Sequence, residues 1–252
     1  MTITRPGRSA FRRYAPLLVL LVLAAGCSED DNTIFFDPGT GEPETIEFQD
    51  GQLPSSRYTG TRDAFLKDGP GLDEYNFGYI DSDTVGSRLL TDHYYESRYI
   101  VRMDISSLTG CAEIIRVELY LHLSFPSADS LVFEAYEVTV PEVLPVSWLE
   151  GLGGLHNGVS WREVDGEIPW DEPGGDLVGA PFDSATVTQD SVISFVIPSA
   201  LVFRWIEEPL SNHGIVVRLV GTMPGEQIIL HARESEFPFA RPRLLIEYIP
   251  GG

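Results

Sequence analysis

From Tyr58 onward the chain is a series of short apolar or alternating runs, cut by clusters of Gly, Pro, Asp and Ser. The clearest run is Arg116–Leu123, where Val117, Leu119, Leu121 and Leu123 share one face at period two. Similar runs predict strands near Asp63–Lys67, Phe77–Ser82, Ser97–Ile105, Ile114–Ser124, Ser130–Val138, Val192–Ile197, Gly214–Leu219, Gln227–Ala232 and Arg243–Ile249. Many short strands with little helix predict an all-β fold, a two-sheet antiparallel β-sandwich. One segment has helical spacing. Ser199–Ile206 follows Pro198, ends before Pro209, and gathers Leu201, Val202, Trp205 and Ile206 on one side. It predicts a short helix packed on the sandwich, with Trp205 in the core.

Trp148–Asp176 breaks this rhythm. It has neither period, is rich in glycine, and carries three of the four tryptophans, so it reads as a long structured loop. Two readings stand. In one the loop caps an end of the sandwich and its indoles are plugs. In the other it is an aromatic platform for a ligand, because sugars present C–H patches to aromatic faces and hydroxyls to a polar rim. The platform would be Trp170, with Glu167 and Glu172 close in sequence. Trp161 is the expected plug, and Trp148 fits either role. Tyr94 and Tyr95, in D-H-Y-Y-E, form a possible second platform.

The first 26 residues change the picture of location. Arg5, Arg8, Arg12 and Arg13 precede an apolar run too short to span a bilayer, the layout of a signal peptide. Leu23-Ala24-Ala25-Gly26-Cys27 resembles the lipobox of bacterial lipoproteins. That resemblance implies lipid on Cys27, and Ser28, where an aspartate would resemble an inner-membrane retention signal, points to the outer membrane or cell surface; ordinary cleavage leaving a free cysteine is the alternative. Residues 27–57 are acidic and rich in Pro and Gly, and are expected to form a flexible tether to a domain spanning 58–252. Of the two cysteines, Cys111 is then unpaired, which leaves no disulfide framework and no cysteine-based zinc site. Residues 1–26 hold four arginines and no acid, so the remainder has 13 basic against 38 acidic residues, a net −25. Such charge opposes nucleic acid and anionic lipid.

Four ordered blocks resemble a DNRLRE-type domain, a carbohydrate-binding-module-like sandwich. They are Asp63-Ala64-Phe65-Leu66 with Asn76-Phe77-Gly78; Arg98–Leu108 followed by Val117–Leu121; Gly158-Val159-Ser160-Trp161 with Pro169-Trp170 and Pro173-Gly174-Gly175-Asp176; and Asn212–Arg218 with Ala232-Arg233-Glu234-Ser235 and Arg241–Leu244. The match covers about 58–249. The resemblance implies a jelly-roll-like, non-catalytic sandwich on surface proteins, binding polysaccharide in some members. Sandwiches of this kind often hold structural Ca²⁺, for which Asp171, Asp176 and the carbonyls near Gly174-Gly175 are the expected oxygen ligands. The residues themselves show no H-E-x-x-H spacing, nucleophile elbow or phosphate loop. Arg233, Glu234 and Arg241 are expected to form a buried ion network rather than a ligand site. The reading is a lipid-anchored, non-enzymatic module that binds polysaccharide or matrix. Its alternatives are a structural or adhesion protein of the envelope without a small ligand, and a polysaccharide-degrading enzyme.

Overall fold

The computed structural model describes residues 41–125, 130–142, 147–187, 191–220 and 225–251. The leader, Cys27 and the first part of the tether lie outside the described residues. Fourteen strands and one helix follow: β1 Glu44–Gln49, β2 Thr61–Lys67, β3 Tyr75–Asn76, β4 Ser82–Leu90, β5 His93–Met103, β6 Cys111–His122, β7 Leu131–Thr139, β8 Gly154–Leu155, β9 Asp176–Leu177, β10 Asp183–Val187, β11 Val192–Val196, α1 Ser199–Glu207, β12 Ile215–Leu219, β13 Gln227–His231 and β14 Arg243–Pro250. Among the described residues strand accounts for 47% and helical structure for 8%, so the fold is all-β.

All pairings are antiparallel. The smaller sheet runs β1-β14-β6-β11; the larger runs β10-β7-β12-β5-β4-β13, with β2 also pairing β5 and β9 pairing β7. Alternation fixes which residues meet between them. On β14, Leu244, Ile246 and Tyr248 turn inward while Arg243, Leu245 and Glu247 are less buried. They join Phe48, Leu119, Leu121 and Phe195 in packing against Phe65, Tyr99, Phe133 and Val217 of the larger sheet. Helix α1 adds Leu201, Val202 and Trp205 to this core, as the spacing predicts.

The larger sheet is also covered on its outer face. Ala64 and Leu66 (β2), Ile100 (β5), Val138 (β7) and Val216 (β12) form a second core with Trp148, Val159, Trp161, Val164 and Trp170. The 148–176 loop therefore lies across a sheet face rather than over one end. Its indoles are plugs, and two of them have their donors satisfied. Trp148 Nε1–H donates to His213 O at 2.8 Å, and Trp170 Nε1–H to Ser160 O at 3.0 Å. Each indole buries about 150–250 Å², on the order of 4–6 kcal/mol of transfer free energy before entropy is counted. The turn at Gly174 needs glycine twice over. Its φ is +90°, and a Cβ would stand 2.8 Å from both the Arg98 guanidinium and the Trp161 ring.

Three expectations change. Residues 44–57 are not tether: β1 pairs with β14 along its full length and buries Ile46 and Phe48. Acidic composition marked the segment as solvated, yet its alternate apolar residues find a sheet edge. Phe77–Ser82 is a turn region rather than a strand, closed by Gly78, whose Cβ position lies 2.2 Å from Glu150 O. β4 runs instead from Ser82, and its hairpin partner β5 starts at His93, inside the polar D-H-Y-Y-E segment.

Because Trp170 fills the second core, Trp170→Ala should destabilise the protein by about 3–5 kcal/mol, the cost of deleting a buried large aromatic. Urea unfolding followed by fluorescence measures it; a change under about 1 kcal/mol would place the indole outside the core.

Candidate functional site

The proposed aromatic platform is not on the surface. Trp170 is 4% exposed, with its indole N–H committed to Ser160. Glu167 and Glu172 are exposed beside it without an aromatic face to accompany. Tyr94 (55% exposed) and the half-buried Tyr95 sit at the start of β5, in the β4–β5 hairpin. Of the expected calcium ligands, Asp171 is exposed, while Asp176 is buried and folds back on its own turn. Asp176 Oδ1 accepts the Glu172 N–H at 2.8 Å.

The structure instead brings together carboxylates far apart in sequence. Asp63 lies on the inner face of β2, on the same side as Phe65, and is 1% exposed. Glu150 enters from the start of the loop and Glu234 from the turn after β13. One oxygen of each lies within 4.8 Å of the others. Asn76, fully buried, sets Glu150 in place. Its Nδ2 donates to Glu150 O at 2.6 Å and Val159 O at 2.7 Å, and its Oδ1 accepts from Gly153 N at 2.9 Å. Glu150 Oε1 then accepts the Asp63 N–H at 3.0 Å. Asp63 Oδ2 accepts the Tyr99 O–H and the Arg233 N–H.

Arg233 supplies the central positive charge. It pairs with Glu234, and its Nε lies 3.1 Å from Glu150 Oε1, an ion pair without hydrogen-bond alignment. Arg62 stands 3.6 Å from Glu150 Oε2. Arg241 ties the same corner together by donating to Ser235 O and Asp50 O, both at 3.0 Å. Of the ion network expected of Arg233, Glu234 and Arg241, the Arg233–Glu234 pair is present, with Glu150 and Asp63 beside it, whereas Arg241 bonds backbone carbonyls and no carboxylate. Burial, reinforced by the charge of Glu234, pushes the Asp63 carboxyl up to about 8; burial raises Glu150 to about 7. Asp63 Oδ1 and Glu234 Oε2 are buried without a protein hydrogen bond. A proton or a hard cation would satisfy them, so Asp63, Glu150 and Glu234 form a second candidate oxygen donor set for calcium; Asp176 Oδ2 is likewise buried without a hydrogen bond.

Two further features lie at the surface. The first is an open cavity of about 220 Å³ whose lining includes Arg102, Asp104, Ser106, Trp205 and Asn212. The second is an aromatic ridge. Phe237 and Phe239 are 47% and 71% exposed, their ring centroids 6.0 Å apart. His231 stands edge-on to Phe237 at 6.1 Å and His122 edge-on to Phe239 at 6.5 Å. The backbone beneath is pinned: Gln49 Nε2 donates to Arg241 O at 2.9 Å, and the Phe237 N–H to Ser235 Oγ at 3.2 Å. Burial holds both imidazoles below their ordinary pKa, helped at His122 by the charge of Arg243.

Sequence reasoning missed the ridge. The only signal was F-P-F between two strands, a short apolar turn without a periodic pattern. No family model matches the chain, and no curated protein does. Among solved structures, the infectious bursal disease virus Gx strain structure is 12% identical with a TM-score of 0.16. That alignment covers 87% of this chain and 40% of the viral one, and at such a score the likeness informs neither fold nor function.

The buried carboxylates make stability depend on pH. In the unfolded chain they release protons near pH 4; in the folded chain Asp63 and Glu150 hold them to about 8 and 7. Between pH 4 and 8 the folded state thus binds more protons, so stability falls as pH rises. Tm should be higher at pH 5 than at pH 8. Asp63→Asn, which needs no proton, should flatten the slope. A slope unchanged in the variant would contradict this. If calcium takes the proton's place, millimolar CaCl₂ restores Tm at pH 8 in the wild type and not in Asp63→Asn.

Proposed function

We propose that this chain is a non-catalytic, lipid-anchored surface module that binds polysaccharide, and that its contact surface is the Phe237–Phe239 ridge. The observation that carries the reading is a pair of exposed rings on a pinned backbone, flanked by uncharged imidazoles. A sugar ring packs its C–H face on such rings, and neighbouring polar groups answer its hydroxyls. Preorganisation matters because the binding energy is not spent on ordering the loop. The resemblance to DNRLRE-type domains supports the same reading, as does the strand-rich scaffold.

The adhesion reading is favoured by one detail. Both ring residues are phenylalanines, which lack the polar handle of Tyr and Trp, and an apolar ridge equally fits a protein partner. A glycan array probed with the full chain separates the two. Binding that Phe239→Ala abolishes without lowering Tm supports the polysaccharide reading. An array without hits, or hits indifferent to Phe239→Ala, would overturn it. Shortening of a bound glycan during incubation would turn the reading toward an enzyme.

The anchor has its own test. Labelled palmitate should enter the wild type and not Cys27→Ala; equal labelling would sink it. Stable retention requires two or more acyl chains, since one binds membranes only marginally.

A further inference from the structure

The 220 Å³ cavity is built differently from the ridge. Arg98 and Arg102 flank Ile100 on the outer face of β5. Both stack on indoles of the loop: the Arg98 guanidinium lies 4.8 Å from the Trp161 ring centre, that of Arg102 5.7 Å from Trp148. Arg98 is neutralised by Glu96, at 2.8 and 2.9 Å, and donates to Gly174 O at 3.0 Å. Among the described residues Arg102 has neither an ion pair nor a hydrogen-bond acceptor, in a chain where acids outnumber bases by 38 to 17. It lines the cavity. Its positive field reaches His213, whose pKa is lowered by burial and by the charges of Arg102 and Arg204.

Two more lining groups are uncommitted. Trp205 and Asn212 are each more than nine-tenths buried. Trp205 Nε1–H has no acceptor. Asn212 Nδ2 donates to Met103 O at 2.9 Å, which leaves Oδ1 without a donor. Orphaned buried groups cost about 1–3 kcal/mol each unless something meets them. Asp104, one oxygen of which accepts the Ser106 N–H at 2.9 Å, provides a further acceptor in the lining.

We propose that this cavity binds a hydroxylated carboxylate, with Arg102 pairing the carboxylate, Trp205 Nε1–H donating to the ligand, and Asn212 Oδ1 and Asp104 accepting from its hydroxyls. A guanidinium without a direct ion pair, with the Asp104 carboxylate in the same lining but not bonded to it, is free to take an anion, and its planar fork matches a carboxylate. The acceptors select hydroxyl donors over a bare anion. The volume suits a single sugar-sized acid rather than a chain. Free hydroxy acids and a uronic-acid unit of a polymer share this chemistry. The proposal does not rest on the aromatic ridge, so the two readings fail separately.

The test titrates the full chain with galacturonate, glucuronate, lactate, glucose and polygalacturonate by calorimetry, and follows the indole N–H signals by ¹⁵N NMR. Saturable binding of at least one hydroxy acid, none of glucose, and a loss of tenfold or more in Arg102→Met are expected. Trp205→Phe keeps the ring's packing and removes the donor; it should weaken binding several-fold at nearly unchanged Tm. The Trp205 indole signal should move on binding. Trp148 and Trp170, whose N–H groups are already bonded, should shift less. Phe239→Ala should bind the acid as the wild type does. Binding of the free acids marks a small-molecule site, and binding of polygalacturonate alone marks a polymer subsite. Absence of binding by every acid, equal binding of glucose, or wild-type affinity in both Arg102→Met and Trp205→Phe would overturn the proposal. In those cases the orphaned groups are met by water, for which the adjoining 20 Å³ void has room for about one molecule.

Discussion

The outer face of the larger sheet carries Ala64, Leu66, Ile100, Val138 and Val216, and water must be kept from it. An antiparallel sheet ordinarily leaves one face solvated. Here both are buried, so β2, β5 and β12 are apolar at successive positions rather than alternate ones: Phe65 and Val217 point to the inter-sheet core, Leu66 and Val216 to the second. The 148–176 loop is the cover. Its sequence has no strand or helix period because its shape is dictated by the face beneath and not by its own backbone ladder. Its three indoles supply apolar area in a segment otherwise too polar to stay down.

A loop pressed on a sheet must satisfy its own backbone. The chain solves this with a few buried polar side chains at the loop's entrance and exit. Asn76 clamps Glu150 O, Val159 O and Gly153 N; Ser160 Oγ accepts the Glu163 N–H; Asp176 accepts the Glu172 N–H. The clamp at Asn76 has a side effect. It delivers the Glu150 carboxylate to Asp63 N and Arg233, which turns an anchoring point into a concentrated charge cluster. Arg233 and Arg62 answer only part of that charge, and the remainder is carried by raised proton affinities.

The candidate sites lie where this cover stops. Arg98 and Arg102 occupy equivalent outer-face positions four residues apart and both stack on loop indoles, yet only Arg98 meets an acid and the loop backbone. Arg102 lies at the end of β5 where α1 and the turn after Met103 leave a cavity. The Phe237–Phe239 ridge sits on a turn between β13 and β14, pinned from below by Gln49 at the end of β1. A strand that composition assigned to a tether thus rigidifies an exposed surface.

The alternation of β6 and β14, the helix at Ser199 and the plugging role of Trp161 and Trp205 were legible in the sequence, because each depends on spacing along one element. The all-β sandwich follows from the same signal. Other features depend on what lies opposite. β1 is acidic and short, and becomes a strand only because β14 offers it an edge. β4 is broken by Gly86, has no alternating apolar pattern, and is held by β5 and β13. Trp170 sits among Pro, Asp and Glu, which suggested exposure, but the sheet face beneath draws its ring inward. Asp63, Glu150 and Glu234 are separated by 87 and 84 positions, so no local pattern links them. Sequence alone determined which residues are apolar and at what period. The tertiary structure decided which faces were covered, and therefore which polar groups were left without partners.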